Sequence, residues 1–177
     1  MTSETGKQTE PVPVRVSHSV RDRWTWANPF VWTDRMLVAL ERGVRGGRWF
    51  SLMDKVTHER TLWAAFQMVK RNKGAAGIDH QTIEMFEGQL EAEVGRLAEE
   101  LRTGTYRPKA VRRTWIPKPG SKEQRPLGIP TVRDRVVQTA LRAVLEPIYE
   151  RKFAEQSYGF RPKRGCKDAL RRVNALL

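Results

Sequence analysis

A short stretch rich in proline and glycine carries two cations that could bind phosphate, Lys118 and Arg125. They are seven residues apart, on opposite arms of an expected antiparallel turn, so their side chains can converge. Pro117 and Pro119 fix the backbone on both sides of the lysine. A lysine supplies a compact charge and an arginine a bidentate fork, so the pair suits a triphosphate. A solvated turn that keeps an edge strand soluble would carry the same charges. The spacing alone leaves both interpretations open.

The net charge of +13 is confined to one part of the chain. Residues 1–100 contain 14 Lys/Arg and 14 Asp/Glu, whereas residues 101–177 contain 19 Lys/Arg and 6 Asp/Glu. Segregation on this scale favours a polyanionic partner, most simply nucleic acid, over charge that serves only solubility. A membrane surface would be better served by a basic amphipathic helix. Here the cations occur in expected strands, turns and helices alike, so nucleic acid is the predicted partner and a membrane is not.

Length and composition limit the class of protein. A chain of 177 residues with 39% apolar residues fits one domain, or one domain with an extension. No apolar run is long enough to span a bilayer, and the first residues lack a secretory pattern, so a cytoplasmic protein is expected. The single cysteine, Cys166, excludes an intrachain disulfide and a Cys-based zinc site. The three scattered histidines indicate no metal site.

The first half of the chain is expected to be helical after a disordered tail at residues 1–22. Residues 23–56 concentrate the aromatic residues and include an expected helix at residues 33–41. These tryptophans could stack on bases, but packing of an extension onto a core is the favoured interpretation. A helical region at residues 57–104 follows. It contains one helix capped by Thr57, and a longer one whose apolar residues recur at helical spacing. The apolar residues of that longer helix are Ile83, Phe86, Leu90, Val94, Leu97 and Leu101. Its opposite face, which includes Glu93, is acidic and expected to be solvated.

The second half begins with two strands, residues 111–116 and 127–129, joined by the basic turn. A helix capped by Thr131 follows, with Asp134 as the partner in a short capping box and with Pro147 expected to bend or end it. A last helix begins near Gly165 and is expected to continue to the final residue. Severed from a larger protein, its apolar face would favour aggregation.

Six blocks, taken together and in order, resemble the N-terminal part of the group II intron reverse transcriptases, also called intron-encoded maturases. The resemblance covers residues 57–177, and residues 23–56 are similar to the tryptophan-bearing N-terminal extension of some members. The blocks are Asn72-Lys-Gly-Ala-Ala-Gly-Ile-Asp79, Tyr106-Arg-Pro108, Trp115-Ile-Pro-Lys-Pro119, Arg125-Pro-Leu-Gly-Ile-Pro130 with Asp134-Arg-Val-Val-Gln138, Leu145-Glu-Pro147 and Ser157-Tyr-Gly-Phe-Arg-Pro162.

The resemblance implies an α+β fold: N-terminal helices and the fingers subdomain of a right-handed fingers, palm and thumb polymerase. Residues 105–177 would hold the fingers hairpin and the start of an incomplete reverse transcriptase domain. Lys118 and Arg125 match the positions that contact the triphosphate of the incoming dNTP. The implied partners are intron or template RNA and dNTP, with a dimer through the N-terminal region considered for the full-length protein. The implied RNA contacts are Asn72, Lys73, Arg112, Arg113, Arg161, Lys163 and Arg164.

The chain departs from this family in its metal-binding carboxylates. The family holds two metal ions with palm aspartates, two of them in a Tyr-x-Asp-Asp turn, and no such tetrapeptide occurs in these 177 residues. The expectation is an N-terminal fragment, truncated before the palm, that is catalytically inactive by itself. No cofactor is expected for the chain, and Mg²⁺ only for the full-length enzyme. The alternative is a stand-alone basic RNA-binding module.

Overall fold

The computed structural model describes residues 19–43 and 51–176. These residues form eight helices and one two-stranded antiparallel sheet. The helices are α1 Ser19–Arg23, α2 Asp34–Arg42, α3 Leu52–Thr57, α4 Glu59–Asn72, α5 Ile83–Glu87, α6 Leu90–Thr103, α7 Val132–Glu150 and α8 Cys166–Asn174. The strands are β1 Arg112–Pro117 and β2 Gln124–Ile129. Mixed helix and strand agree with the expected α+β class.

The core lies between α4, α6 and α7, with α3 packed alongside. The apolar stripe of α7 is buried there, with Val136, Ala140 and Val144 fully inaccessible. Phe66 of α4 stacks on Phe86 of α5 with ring centroids 5.4 Å apart. Burial of each such large side chain contributes about 1.5–3 kcal/mol. The strands of the hairpin pair only with each other in the described part of the chain.

The N-terminal extension forms a hydrogen bond to this core beside a proline in α7. Pro147 lies inside α7 and has no N–H with which to bond the carbonyl of Ala143, four residues earlier. The indole Nε1 of Trp32 donates to that carbonyl at 3.0 Å, and the Trp32 ring is completely buried. Since Trp24 is buried as well, the packing interpretation holds for both residues. Trp49 and Phe50 lie outside the described residues.

Two expectations at the start of the described chain need correction. The predicted tail ended at residue 22, but α1 begins at Ser19, because Val20 and Trp24 are buried together one turn apart. The predicted tail residues before Ser19 lie outside the described residues. Thr57 does not cap α4. It is buried at the end of α3, and the Nδ1 of His58 accepts from the N–H of Arg60 instead.

The longest apolar pattern is also divided differently from the prediction. Its spacing was correct, since Ile83, Phe86 and Leu97 are all buried. The helix, however, is broken between α5 and α6 at Gly88, a residue type with low helix propensity. Glu93 was assigned to the solvated acidic face but is buried. Gly104 ends α6 with a φ of 71°, the left-handed conformation typical of a glycine that follows a helix.

The second half follows the sequence prediction more closely. Thr131 caps α7 and accepts from the N–H of Asp134 at 3.1 Å. Pro147 does not end the helix, which continues to Glu150 because Trp32 takes up the carbonyl that the proline leaves free. α8 starts after Gly165 as expected but ends at Asn174, with Ala175 as its C-cap. No helix among the described residues is both long and apolar enough to cross a membrane.

Substitution on α8 is expected to change self-association without changing the fold. None of the described α8 side chains is buried, and Leu170 and Val173 are 67% and 55% exposed. Leu170→Glu with Val173→Glu should therefore alter the free energy of unfolding by no more than about 0.5 kcal/mol. It should at the same time shift the protein towards monomer in light scattering after size-exclusion chromatography, because the apolar face is removed. A loss of cooperative unfolding would show instead that this face supports the core.

Candidate nucleic-acid interface

The hairpin places Lys118 and Arg125 on the same face. In the antiparallel register Ile116 lies opposite Arg125 and Pro117 opposite Gln124. The N–H of Lys118 donates to the carbonyl of Glu123 at 2.9 Å, which extends the ladder by one pair. Because side chains alternate along a strand and cross-strand partners share a face, Lys118 and Arg125 are diagonal neighbours. Both are exposed to solvent.

The two cations differ in what they already bind. Lys118 Nζ forms an ion pair with Glu123 Oε2 at 2.6 Å. The guanidinium of Arg125 forms no hydrogen bond or ion pair with any other described residue. An exposed pair of this kind contributes only about 0.2–1 kcal/mol, so a polyphosphate could displace the Glu123 carboxylate. The face therefore offers one free guanidinium and one ammonium that is held by a replaceable anion.

A buried carboxylate fixes the base of the hairpin. Asp134 is 3% exposed. Its Oδ2 accepts from the N–H of Lys109 at 3.2 Å, just before β1, and from the hydroxyl of Thr131 at 2.7 Å, just after β2. Its Oδ1 accepts from the hydroxyl of Tyr106. One side chain on α7 thus holds both legs of the hairpin and sets the direction in which its cations project.

Tyr106 is part of the same network. The guanidinium of Arg133 lies 5.7 Å from its ring centroid and also pairs with Glu100 on α6. Burial, and secondly the hydrogen bond to the Asp134 carboxylate, raise the pKa of Tyr106 above its ordinary value. The folded protein therefore retains the phenolic proton at a pH where the unfolded chain loses it.

This difference predicts a pH-dependent loss of stability that Tyr106→Phe should reduce. A raised folded-state pKa contributes stability that is complete below the unfolded pKa of about 10 and is lost as pH rises above it. From about pH 9.5 to 11 the free energy of unfolding should fall more steeply for the wild type than for Tyr106→Phe. Urea unfolding at several pH values measures both slopes, and the remaining lysines and tyrosines are common to the two proteins. Parallel slopes would contradict the assignment.

The loop after α4 is held against the start of α7. A Cβ on Gly77 would lie 2.6 Å from the Cα of Thr131, so only glycine permits this approach of the two backbones. Arg135 Nη2 donates to the carbonyl of Ala75 at 3.0 Å. Asn72, the last residue of α4, and Lys73, which has a φ of 56°, are exposed on this loop. Lys73 is thus held near the first turn of α7, where its carbonyl accepts from Arg135 Nη1 at 3.5 Å.

The other arginine candidates on the hairpin lie on opposite faces. Arg112 shares the half-buried face with Thr114 and Ile116, and its Nε is buried without a hydrogen-bond partner among the described residues. Arg113 lies on the exposed face together with Trp115. Of these two arginines, Arg112 is the one on the same face as Lys118 and Arg125.

The basic loop before α8 gives its cations different surroundings. Arg161 is 6% exposed and uses its guanidinium internally, in a bidentate pair with Glu150 and in bonds to the carbonyls of Ala154 and Ser157. Arg164 is half-buried and bonds to loop carbonyls, with its guanidinium 5.6 Å from the Tyr158 ring centroid. These two arginines hold the loop in shape, and their direct contact with RNA stays a prediction. Lys163 is exposed, with a φ of 58°.

Sequence reasoning missed how the network around Asp134 is connected. Asp134 was identified only as a capping residue and as part of a block, and Tyr106 only as part of a block. Lys109, which pairs with Asp79 at 3.3 Å, was not singled out. The available signal was the presence of Asp79, Tyr106 and Asp134 in three separate blocks, which lie together in space.

Comparison with known proteins gives this geometry a context. No family model matches the chain. It is 43% identical over 113 residues to the group II intron-encoded protein LtrA of Lactococcus lactis subsp. cremoris, covering 63% of this chain and 18% of LtrA. The chain is homologous to a part of group II intron-encoded proteins. It is also 41% identical over 128 residues to protein YkfC of Escherichia coli K12, covering 71% of this chain and 33% of YkfC.

A shorter match connects the intron-encoded proteins with a maturase. The chain is 49% identical over 39 residues to nuclear intron maturase 2, mitochondrial, of Arabidopsis thaliana, covering 22% of this chain and 5% of that protein. The chain thus spans less than a fifth of LtrA and a third of YkfC. The resemblance inferred from the six blocks is confirmed at the level of intron-encoded proteins and intron maturases.

Proposed function

We propose that these residues form the fingers region of a group II intron RNA-directed DNA polymerase and contribute its dNTP and template contacts. The observation that carries the proposal is the shared hairpin face of Lys118 and Arg125, above legs that Asp134 clamps. Homology to group II intron-encoded proteins supports the same assignment. In this role the guanidinium of Arg125 and the ammonium of Lys118 contact the triphosphate of the incoming nucleotide.

The chemistry of the face suits a nucleotide triphosphate better than an isolated phosphate. Arg125 can give two parallel N–H bonds to adjacent phosphate oxygens, and Lys118 adds a point charge beside it. Glu123 keeps Lys118 in position when no nucleotide is bound and must give it up when a triphosphate enters. Binding is therefore an exchange of one anion for another of higher charge.

We further propose that exposed cations near the hairpin and on the loop before α8 contact intron or template RNA. Lys73 and Arg113 are exposed near the hairpin, Lys163 is exposed on the loop before α8, and the net charge of +13 lies in residues 101–177. Arg161 and Arg164 act indirectly in this proposal, because they shape the loop that carries Lys163. The name of the Arabidopsis relative, an intron maturase, supports RNA as the partner.

These 177 residues by themselves are proposed not to polymerise. They contain no Tyr-x-Asp-Asp sequence, and the described residues include no group of three His, Cys, Asp or Glu side chains that could hold Mg²⁺. The residues present thus do not fit a catalytic magnesium site, and no chemical step is assigned to them. Primer extension with Mg²⁺ and dNTP on the purified chain tests this point, and incorporation above a no-protein control would overturn it.

A stand-alone RNA-binding module is the second candidate, favoured by the charge segregation alone. Both candidates predict salt-sensitive binding, with the slope of log affinity against log salt steeper by about 0.7 for each single-strand phosphate contact. Lys118→Ala separates them. The polymerase role predicts a larger loss of dNTP affinity than of RNA affinity, whereas a pure RNA module predicts loss of RNA affinity only. An RNA affinity that does not change with salt concentration would contradict both candidates.

A further inference from the structure

A cleft of about 670 Å³ lies between the N-terminal extension and the end of α7, away from the hairpin residues. One wall comes from α1 and α2, and the other from the C-terminal end of α7 and the loop before α8. Its size is typical of a site for a nucleotide-sized ligand. The lining residues are Arg23, Trp24, Trp26, Glu41, Arg42, Glu150, Arg151, Pro162 and Lys163.

The cleft carries more positive charge than its own carboxylates neutralise. Glu41 is occupied by Arg23 at 2.9 Å and by the Nε1 of Trp24 at 3.0 Å. The carboxylate of Glu150 forms an ion pair with Arg161, which does not line the cleft. Two further cations of the lining, Arg42 and Arg151, form no side-chain hydrogen bond or ion pair with other described residues. Two guanidinium groups from opposite walls are thus free for an anion that enters the cleft.

An aromatic pair supplies an apolar surface next to these cations. Trp24 is buried and Trp26 half-buried, with ring centroids 5.3 Å apart and planes inclined by 44°. The buried ring supports the more exposed one. A partly exposed indole flanked by arginines matches the combination by which proteins bind single-stranded nucleic acid, with a base on the ring and phosphate on the cations.

The walls are held in place before any ligand binds. Arg161 fixes the loop wall through Glu150 and the carbonyls of Ala154 and Ser157. Lys163 Nζ donates across the cleft to the carbonyl of Asp22 at 3.3 Å. Lys163 adopts a left-handed backbone with a φ of 58°, a conformation that costs energy for any residue with a Cβ. A site ordered in advance loses less conformational entropy on binding.

We propose that this cleft binds one nucleotide of single-stranded RNA, with the base stacked on Trp26 and the flanking phosphates held by Arg42 and Arg151. The choice of RNA among polyanions rests on the function proposed above. The cleft itself shares no residue with the nucleotide-binding face of the hairpin. It adds a second contact region, built partly from the extension, to the cations near the hairpin.

Binding of a fluorescein-labelled oligouridylate of about eight nucleotides to the 177-residue chain tests the proposal. Arg42→Ala with Arg151→Ala should make the slope of log affinity against log salt shallower by about 1.4, two contacts at 0.7 each. Trp26→Leu should weaken binding by about 5- to 100-fold, while Trp26→Phe retains most of the affinity. Arg60→Ala, an exposed arginine outside the cleft, removes the same charge as each cleft substitution and should leave the affinity nearly unchanged. Circular dichroism checks that each variant folds.

Crosslinking identifies the site independently of affinity. An oligouridylate with one 4-thiouridine should crosslink to peptides that contain Trp26 or Lys163. Crosslinks confined to other surfaces, or an Arg42→Ala, Arg151→Ala protein with an unchanged salt slope, would overturn the proposal. So would preferential competition by an acidic peptide over unlabelled RNA. Failure of the hairpin variants to affect dNTP binding would count against the fingers assignment and leave this result unaffected, so the two failures are distinguishable.

Discussion

Replacing Asp134 with alanine is expected to lower the free energy of unfolding by about 3 kcal/mol or more. The substitution leaves the hydroxyls of Tyr106 and Thr131 and the N–H of Lys109 without their acceptor. A buried donor left unpaired costs about 1–3 kcal/mol, and of these donors the Thr131 hydroxyl is buried and the Tyr106 hydroxyl is partly buried. The negative charge near the N-terminus of α7 is lost as well, worth about 0.3–1 kcal/mol. Since a domain of this size is stable by about 5–15 kcal/mol, the loss would be a large fraction of the total.

Two comparisons make this result specific to the hydrogen bonds. Asp134→Asn retains the shape of the side chain and one acceptor oxygen, so its effect should be smaller than that of alanine. Asp54→Ala removes an exposed carboxylate from the first turn of α3 and should change the free energy of unfolding by no more than about 0.5 kcal/mol. Urea unfolding followed by circular dichroism measures all three. Equal, small effects at Asp134 and Asp54 would show that the hairpin is not clamped by this carboxylate.

Arg125→Ala is expected to weaken dNTP binding by about tenfold or more. A hydrogen bond from a charged donor contributes about 1.5–3 kcal/mol, and 1.4 kcal/mol corresponds to a tenfold change in affinity. The Arg125 guanidinium pairs with no other described residue, so it breaks no intramolecular bond when it binds a phosphate. The substitution therefore removes the full free energy of this phosphate contact. Lys118→Ala should have a smaller effect in the same direction, because part of its charge is already compensated by Glu123.

The same hairpin offers one matched control and one substitution that should raise dNTP affinity. Lys122 is an exposed lysine at the turn, outside the paired strands, so Lys122→Ala removes one charge without removing either proposed phosphate contact. Its effect should be under threefold. Glu123→Gln removes the anion that competes for Lys118 and should tighten dNTP binding about two- to fivefold, consistent with the small energy of an exposed pair. Equal losses for Lys122→Ala and Arg125→Ala would indicate diffuse electrostatic attraction instead of a defined site.

Local patterns predicted the parts of the fold that local chemistry decides. The Thr131 cap and the helical spacing of Ile83, Phe86 and Leu97 depend on neighbours within a few residues, and both are confirmed. The continuation of α7 past Pro147 was not predictable in this way. It depends on Trp32, more than a hundred residues earlier, donating to the carbonyl that the proline cannot bond.

The same distinction between local pattern and tertiary packing applies to the candidate site. The shared face of Lys118 and Arg125 follows from their spacing across a hairpin. The burial of Arg161 does not follow from its sequence, because an arginine in a basic loop has the same composition whether it faces solvent or Glu150. Likewise, the convergence of Asp79, Tyr106 and Asp134 at the hairpin base requires tertiary packing that no periodicity encodes.

The most direct test of the nucleotide-binding claim is an NMR titration of the isotope-labelled chain with a dNTP. Backbone amide shifts are expected to concentrate in β1, β2 and the turn between them, with the Arg125 side-chain signal among the largest changes. Arg125→Ala should abolish this pattern, whereas Lys122→Ala should retain it. Shifts spread over the whole basic surface, or confined to residues outside the hairpin, would contradict nucleotide binding by the hairpin.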